Sequence, residues 1–389
     1  MASDLRAPIL AGSVASITGT AASIGVVLSA LNALGATPAQ IATAVSVMLF
    51  LYGALSIILS WRYKQPISIV WSTPGAALLV ASGTLGLGFQ NAVGAFLVTG
   101  LLLTITGLWP ALGRLVSSIP KPIASAMLAG VIFPFCSAPF ISIQNYASIM
   151  VPVLVVWLVL YRFATIWAAP AAVALGFTLI AIQLGTKAPT GSWLPQLSVI
   201  TPSLDLAAIV GIAIPLYLVT MASQNIPGIA IMKTFDYQVP FRPVLLWTGL
   251  ATVAGSVFGT FALNLAAITA ALNANEHAHK DPKRRWLAST FGGILYIALA
   301  FAVGPLVAFV LEVPKVLILA AAGIALFGTM INSISAAVET VELRLPAIIT
   351  FLVGASGLAI FGVGPGFWAL TAGVIVWQAL TLGSKSKRA

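Results

Sequence analysis

Long apolar runs separated by short polar stretches extend from one end of the chain to the other. Most runs approach 20 residues, the length at which a helix crosses a hydrocarbon core about 30 Å thick. The third and tenth runs are too short to cross as continuous helices. The pattern predicts fourteen membrane segments, at approximately 10–32, 40–61, 67–83, 91–111, 120–137, 148–161, 164–184, 206–232, 243–258, 261–274, 286–304, 314–332, 345–361 and 366–382. We therefore expect an all-α polytopic membrane protein.

Composition excludes several other classes of protein. Of the 389 residues, 60% are hydrophobic and 7% are charged, whereas soluble domains carry about 25% charged residues. We expect one integral membrane domain over 1–389 and no nucleic-acid partner, since the net charge of +10 is explained by cytoplasmic loops. A P-loop, a cluster of metal ligands and a nucleophile paired with a base are all missing from the sequence, so we expect no cofactor, no metal site and no enzyme.

The distribution of basic residues gives a topology. With the amino terminus in the cytoplasm and alternating crossings, 16 of the 18 Lys and Arg residues fall on the cytoplasmic side, and only Lys187 and Lys315 fall outside. This asymmetry follows the positive-inside rule of membrane proteins. We expect both termini in the cytoplasm and an ordinary external loop at 144–146.

The two halves of the chain resemble each other at an offset of 194 residues. This offset places Pro120 on Pro314 and Lys121 on Lys315, each at the start of an apolar segment. Chance similarity between apolar helices is the alternative. Because each half then holds seven segments, an odd number, the second half enters the membrane inverted. The sequence thus predicts two inverted repeats, about 7–187 and 200–383, as transporters have, with the substrate near the membrane midplane.

The third segment is interrupted at its centre by Ser72, Thr73, Pro74 and Gly75. A strand over 67–73 followed by a helix from Pro74 would span the membrane, with Ser72 or Thr73 as the N-cap and Gly75 allowing close approach of a ligand. A continuous helix kinked at the proline is the alternative. Interrupted segments of this kind point to a transport site.

The tenth segment has a similar interruption. We expect Phe261 to Leu263 to be extended, Asn264 to be the N-cap and Leu265 to Leu272 to form a short helix, since an offset of 192 places Ser72 on Asn264. Two half-helices would then aim free N–H groups and positive dipole ends at the midplane, which favours an anion.

The eighth segment carries Ser223, Gln224 and Asn225 in an apolar context. Such residues are costly in a bilayer unless they pair or line a cavity, and hydrogen bonding between helices is the alternative to a substrate site. The corresponding first segment, over 12–25, is rich in small and hydroxyl residues. No carboxylate is expected at the midplane, and Glu276 with His277 is more simply a solvated loop pair than a proton relay.

Three stretches resemble the benzoate/proton symporter family of bacterial inner membranes. They are "SIVWSTPGAALL", "ASQNIPG" and "FGTFALNLAAITAA", and the similarity extends over the whole chain. The resemblance implies uptake of benzoate with a proton, and a seven-plus-seven fold shared with uracil/proton symporters and sulfate permeases. It also implies that segments 1, 3, 8 and 10 surround the substrate.

The sequence departs from the nucleobase relatives at two positions. Those relatives have a glutamate in the eighth and another in the tenth segment, where this chain has Gln224 or Asn225 and Leu263 or Asn264. The absence of a buried carboxylate suits an anionic substrate and leaves the proton carrier open. One hypothesis is that the substrate carboxylate itself takes the proton, because desolvation raises its pKa.

We therefore expect a secondary transporter for benzoate or a close aromatic carboxylate. A nucleobase or inorganic-anion transporter of the same fold and an anion channel are the alternatives. The oligomeric state is open, and a homodimer is one option. Trp71 and Tyr217 are further candidates to stack on the ring. The expected substrate-binding residues are Ser72, Thr73, Gly75, Gln224, Asn225, Phe261 and Asn264.

Overall fold

The computed structural model describes residues 2–109, 111, 118–184, 197–266, 268–360 and 363–386. This part of the chain consists of fourteen helices, a few single-turn 3₁₀ segments and one antiparallel sheet of two short strands. The first half contains α1 (Ala2–Ala33), α2 (Pro38–Tyr63), β1 (Ile69–Trp71), α3 (Thr73–Ser82), α4 (Phe89–Leu108), α5 (Lys121–Phe163) and α6 (Thr165–Leu184).

The second half repeats this order of elements. It contains α7 (Leu206–Thr234), α8 (Phe241–Ser256), β2 (Leu263–Leu265), α9 (Ile268–Ala274), α10 (Trp286–Ala300), α11 (Val303–Glu312), α12 (Lys315–Val338), α13 (Arg344–Ala355) and α14 (Pro365–Ser386). The fourteen predicted segments are all present if α5 counts twice and each strand is counted with the half-helix after it. The predicted fold class, two inverted repeats with an interrupted third and tenth segment, is confirmed.

Two details differ from the prediction. The expected external loop at 144–146 is instead a break of one residue inside α5, where only Tyr146 leaves helical geometry (φ −136°, ψ 42°). The break lies between polar, exposed residues, with Gln144 and Asn145 before it and Ser148 after it, and it connects the fifth and sixth segments without a separate loop. In addition, the eleventh segment ends at Ala300 and a bend of 63° leads into α11. Pro305 lies in the first turn of α11 and has no N–H with which to continue the ladder of α10.

The helices form two groups that combine both halves of the chain. In one group α2 packs on α10 and α4 on α8, with α1, α3, α7 and α9 beside them; in the other α5 packs on α12 and α13, with α6 and α14. Small residues allow the close contacts. A Cβ on Gly53 would lie 2.7 Å from the carbonyl oxygen of Gly293, and such approach of backbones is how helices pack tightly in membranes.

The two strands lie at the centre of the first group. Ile69 pairs with Leu265, Val70 with Asn264 and Trp71 with Leu263. Two further backbone bonds extend the pairing, from the Ser72 N–H to the Ala262 oxygen (3.1 Å) and from the Ala266 N–H to the Ser68 oxygen (2.8 Å). An offset of 194 residues relates these two bonds, since it places Ser72 on Ala266 and Ser68 on Ala262. The strand pairing therefore agrees with the repeat offset that the sequence predicts.

Candidate functional site

The first half-helix begins as the sequence predicts. Ser72 is the N-cap of α3, and its Oγ accepts from the Gly75 N–H at 3.1 Å. Its carbonyl oxygen accepts from the Ala76 N–H at 2.7 Å. Because Pro74 has no N–H, the Thr73 N–H is the one donor of this first turn without a partner among the described residues. The half-buried Thr73 hydroxyl likewise has none there.

The second half-helix differs from the prediction. Asn264 does not cap a helix, because it lies in the middle of β2 opposite Val70, and α9 begins at Ile268 instead of Leu265. The symmetric backbone bonds make Ala266 the structural equivalent of Ser72, so the offset of 192 that placed Ser72 on Asn264 was wrong. Pairing with β1 satisfies the backbone of β2, and this outweighs the capping preference of asparagine.

Side-chain hydroxyls of α2 satisfy the outer edge of β1. The Ser56 Oγ accepts from the Ile69 N–H at 2.8 Å, and the Ser60 Oγ donates to the Ile67 oxygen at 2.8 Å. A strand edge inside a membrane has no water to complete its hydrogen bonds. Two serines one turn apart in an otherwise apolar helix are the sequence signal for this role, which sequence reasoning missed.

The outer edge of β2 is satisfied in the same way, by one side chain of α8 and one of α7. The Thr252 Oγ1 accepts from the Leu263 N–H at 3.1 Å, and the Asn225 Oδ1 accepts from the Leu265 N–H at 3.0 Å. The Nδ2 of fully buried Asn225 lies 3.5 Å from the Met221 sulfur. Asn225 thus holds the strand in place, and its acceptor is already used.

Gln224 lies in a distorted part of α7. Residues Met221–Asn225 form a π-helical turn in which the Ile226 N–H reaches back to the Met221 oxygen. Pro227 follows and has no N–H to donate, which favours this wider turn; such π-bulges occur frequently at functional sites. The half-buried Gln224 amide has no hydrogen-bond partner in the described part of the chain.

The Asn264 side chain is fully buried and only partly satisfied. Its Nδ2 donates to the Leu265 carbonyl oxygen at 3.0 Å, whereas its Oδ1 has no partner among the described residues. Because side chains alternate along a strand, Asn264 shares its face of the sheet with Val70 and Ser72. Ser72 is a diagonal neighbour of Asn264, and such neighbours lie about 7–8 Å apart.

The three aromatic candidates lie elsewhere. Phe261 is fully buried and packs against Phe96 of α4 with ring centroids 6.0 Å apart, and the alternation of side chains places it on the sheet face opposite Asn264. Trp71 donates from Nε1 to the Ser23 Oγ at 2.9 Å. The Tyr217 hydroxyl is bonded to Thr106 at 2.6 Å. The structure therefore brings Asn264 close to the start of α3, which contains Ser72, Thr73 and Gly75. Asn225 is bonded to the edge of β2, and Gln224 is its neighbour in sequence. Phe261 lies away from this group.

The stretch 12–25 of α1 was singled out in the sequence only because it is rich in small and hydroxyl residues. In the structure, the Ser16 and Tyr296 hydroxyls are buried close to each other and to Thr269. They lie beside the first turn of α9, since a Cβ on Gly19 would lie 3.5 Å from the Thr269 Oγ1 and 3.6 Å from the Tyr296 hydroxyl. The second half-helix therefore faces a layer of neutral hydroxyls.

Charged side chains lie away from these strands. In the described ranges, Asp, Glu, Lys, Arg and His occupy helix ends and connections, and no cluster of three or more His, Cys, Asp or Glu residues is suited to a metal ion. The chemistry available at the strands is thus hydrogen bonding by neutral amides, hydroxyls and one free backbone N–H.

Comparison with known proteins identifies the family. Residues 4–379 match the model of the family described as "Benzoate membrane transport protein". The chain belongs to this family. It is 36% identical over 375 residues to "Inner membrane protein YdcO" of Escherichia coli (strain K12), covering 96% of each chain. It is 30% identical over 328 residues to "Benzoate membrane transport protein" of Acinetobacter baylyi (strain ATCC 33305 / BD413 / ADP1), covering 83% of this chain and 82% of the relative.

Solved structures confirm the fold of this benzoate-transport family member. The transmembrane domain of the cyanobacterial bicarbonate transporter BicA superposes with a TM-score of 0.63 at 14% identity, covering 95% of this chain and 97% of that one. The murine Slc26a9 anion transporter in its inward-facing state gives 0.57 at 13% identity, covering 97% and 68%. At these identities the likeness establishes the fold alone.

Proposed function

We propose that the protein takes up benzoate or a close aromatic carboxylate across a bacterial inner membrane, coupled to protons, by alternating access. The A. baylyi relative is described as a benzoate transporter and the E. coli relative as an inner membrane protein. The absence of a catalytic constellation in the sequence supports a carrier without enzymatic activity. The predominance of Lys and Arg on one side supports cytoplasmic termini.

One observation carries the site assignment. At the junction of β1 and β2, the buried Asn264 amide oxygen and the Thr73 N–H are both without partners among the described residues. Buried polar groups are nearly always hydrogen-bonded, so an open N–H at the start of a ten-residue helix and an open, buried amide oxygen on the neighbouring strand point to a ligand. A carboxyl group fits, because it can carry an acceptor and a donor in a small, planar shape.

The other site residues act in two ways. Gln224 donates from its open amide to the carboxyl group, and the Thr73 hydroxyl is a further donor. Ser72 and Asn225 position the half-helix and β2 through the bonds described above. Gly75 lets α7 approach α3, since a Cβ there would lie 2.6 Å from the Leu216 Cδ1. Leu216 and Val70 provide apolar surface for the ring, and a contact of Phe261 with the ring would need it to move from Phe96.

The two helix groups support alternating access. The group with α1–α4 and α7–α10 carries the proposed site residues, and the group with α5, α6 and α12–α14 contacts α1, α3 and α7 of that group. Movement of one group against the other would expose the strands first to one side of the membrane and then to the other. Inverted repeats provide two related end states for this motion.

Transport of an inorganic anion is the second candidate. Its support is that the solved neighbours are described as bicarbonate and anion transporters. It would require polar groups to surround a small, strongly hydrated ion on all sides, whereas Val70 and Leu216 flank the open groups here. A nucleobase would require a larger set of paired donors and acceptors.

Ligand titration separates these candidates. Purified protein in lipid nanodiscs is titrated with benzoate, bicarbonate, sulfate and uracil near pH 6. We expect binding of benzoate alone, and we expect Gln224→Leu to weaken it by about tenfold through loss of one hydrogen bond. Asn91→Leu, in the first turn of α4, is the matched control. Binding of bicarbonate or sulfate but not benzoate would contradict the proposal.

A further inference from the structure

The open hydrogen-bonding groups at the junction of the strands have a defined polarity. Oδ1 of Asn264 is an acceptor, and it is the atom of this amide that remains open. Exchanging Oδ1 and Nδ2 of Asn264 would bring the amide oxygen against the Leu265 carbonyl oxygen, and two acceptors cannot bond to each other. The bond from Nδ2 to that carbonyl therefore determines which way the amide is oriented. A ligand that satisfies Asn264 must present a hydrogen.

The first turn of α3 presents few donors. Pro74 has no N–H, and the N–H groups of Gly75 and Ala76 are bonded to Ser72, so the Thr73 N–H is the one left by the described residues. A buried carboxylate is stable when several donors or a cation surround it. The donors here are neutral, namely the Thr73 N–H and hydroxyl and the Gln224 amide, and the open Oδ1 of Asn264 needs a hydrogen that a carboxylate lacks. The O–H of a carboxylic acid supplies that hydrogen, and its C=O accepts from a donor.

Among the described residues, no charged side chain lies on the two strands or in the helical turns that bond to their edges. The elements that pack on β2 are β1, α7 and α8, and their described titratable side chains lie away from Asn264. Tyr217 is bonded to Thr106. Lys233 is in the last turn of α7, and Arg242 bonds to the carbonyl oxygens at the end of α4.

We propose that the site binds its substrate as the neutral carboxylic acid, with the acid O–H donating to Oδ1 of Asn264 and the acid C=O accepting from the Thr73 N–H. The inference rests on the proposed function, and it assigns the coupled proton to the substrate. The carboxylate takes one proton from water on the outer side, forming an O–H bond, and returns it to water on the cytoplasmic side. One substrate and one proton cross with no net charge.

Two analogues of fixed protonation state distinguish this from binding of the anion. Benzamide has the donor and acceptor of benzoic acid on the same ring, whereas benzenesulfonate is a permanent anion. The pH dependence of benzoate binding alone would not distinguish the neutral acid from the anion, because a proton bound to the protein instead of the substrate would give the same pH dependence. Binding of both analogues and of benzoate is measured in nanodiscs between pH 5 and 8.

We expect benzamide to bind with an affinity that is independent of pH, and benzenesulfonate to bind at least about 100-fold more weakly. Asn264→Leu should weaken benzamide by roughly 10- to 100-fold, the value of one buried hydrogen bond. Asn91→Leu should change nothing, because the Asn91 amide makes a similar local bond, to the Leu87 oxygen at 2.8 Å, away from the site.

Tighter binding of benzenesulfonate than of benzamide would overturn the inference while leaving benzoate transport intact. So would an unchanged affinity of Asn264→Leu for benzamide. The comparison of the two analogues on the unsubstituted protein decides the matter even if the Asn264 variant does not fold. Absence of benzoate binding at every pH would instead refute the proposed function itself.

Discussion

Val70 and Asn264 face each other across the antiparallel strands, and an offset of 194 residues makes each the repeat equivalent of the other. The local pseudo-twofold axis therefore passes between a valine and an asparagine. Where strict symmetry would place two identical side chains, one is apolar and the other carries an open acceptor. The proposed site is thus asymmetric at the centre of a symmetric fold, which would suit a ligand with one polar and one apolar end.

Replacement of Asn225 should destabilise the protein through β2. Asn225→Leu leaves the Leu265 N–H without an acceptor in a place that water does not reach, at a cost of about 1–3 kcal/mol. We expect a lower midpoint of thermal denaturation in detergent and weaker benzoate binding together. Asn225→Asp retains an oxygen acceptor and should recover most of the stability. A fully stable Asn225→Leu protein that fails to bind benzoate would show that Asn225 contacts the substrate directly.

A methyl group at Gly249 should prevent the packing of α8 against α4. A Cβ there would lie 2.5 Å from the Thr104 backbone nitrogen, and a backbone atom cannot rotate away as a side chain can. We expect Gly249→Ala to abolish the monodisperse peak in fluorescence-detected size-exclusion chromatography. The matched control is Gly328→Ala in α12, where nothing lies within 4 Å and helix propensity favours alanine by about 1 kcal/mol. Equal behaviour of the two variants would contradict the close packing of α8 on α4.

Much of the fold was predictable because apolar length and repeat offset are properties of the sequence. The interruption of the third segment was predictable in detail, since Ser72, Pro74 and Gly75 each have a local preference that agrees with the structure. The start of the tenth half-helix was not, because Asn264 is a good N-cap in isolation and the competing partner, β1, lies almost 200 residues away in the chain.

The polar residues of the candidate site were recognisable in the sequence, whereas their individual roles were not. Amides in an apolar segment are conspicuous, but whether Asn225 serves a ligand or a strand edge depends on which N–H lies opposite, and that is a tertiary fact. Phe261 is a candidate by its proximity in sequence to Asn264. Alternation along the strand places adjacent or odd-spaced residues on opposite faces, so this proximity does not bring the ring to the amide.

The most direct test of the account is the initial rate of radiolabelled benzoate uptake into proteoliposomes with an imposed pH gradient, acid outside. Benzoic acid also crosses lipid unaided, so the rate in protein-free vesicles is subtracted, and Gln224→Leu protein is measured in parallel as a site variant. We expect a protein-dependent rate that rises with the pH gradient and does not respond to a potassium–valinomycin potential. A protein-dependent rate that follows the potential and ignores the pH gradient would contradict it.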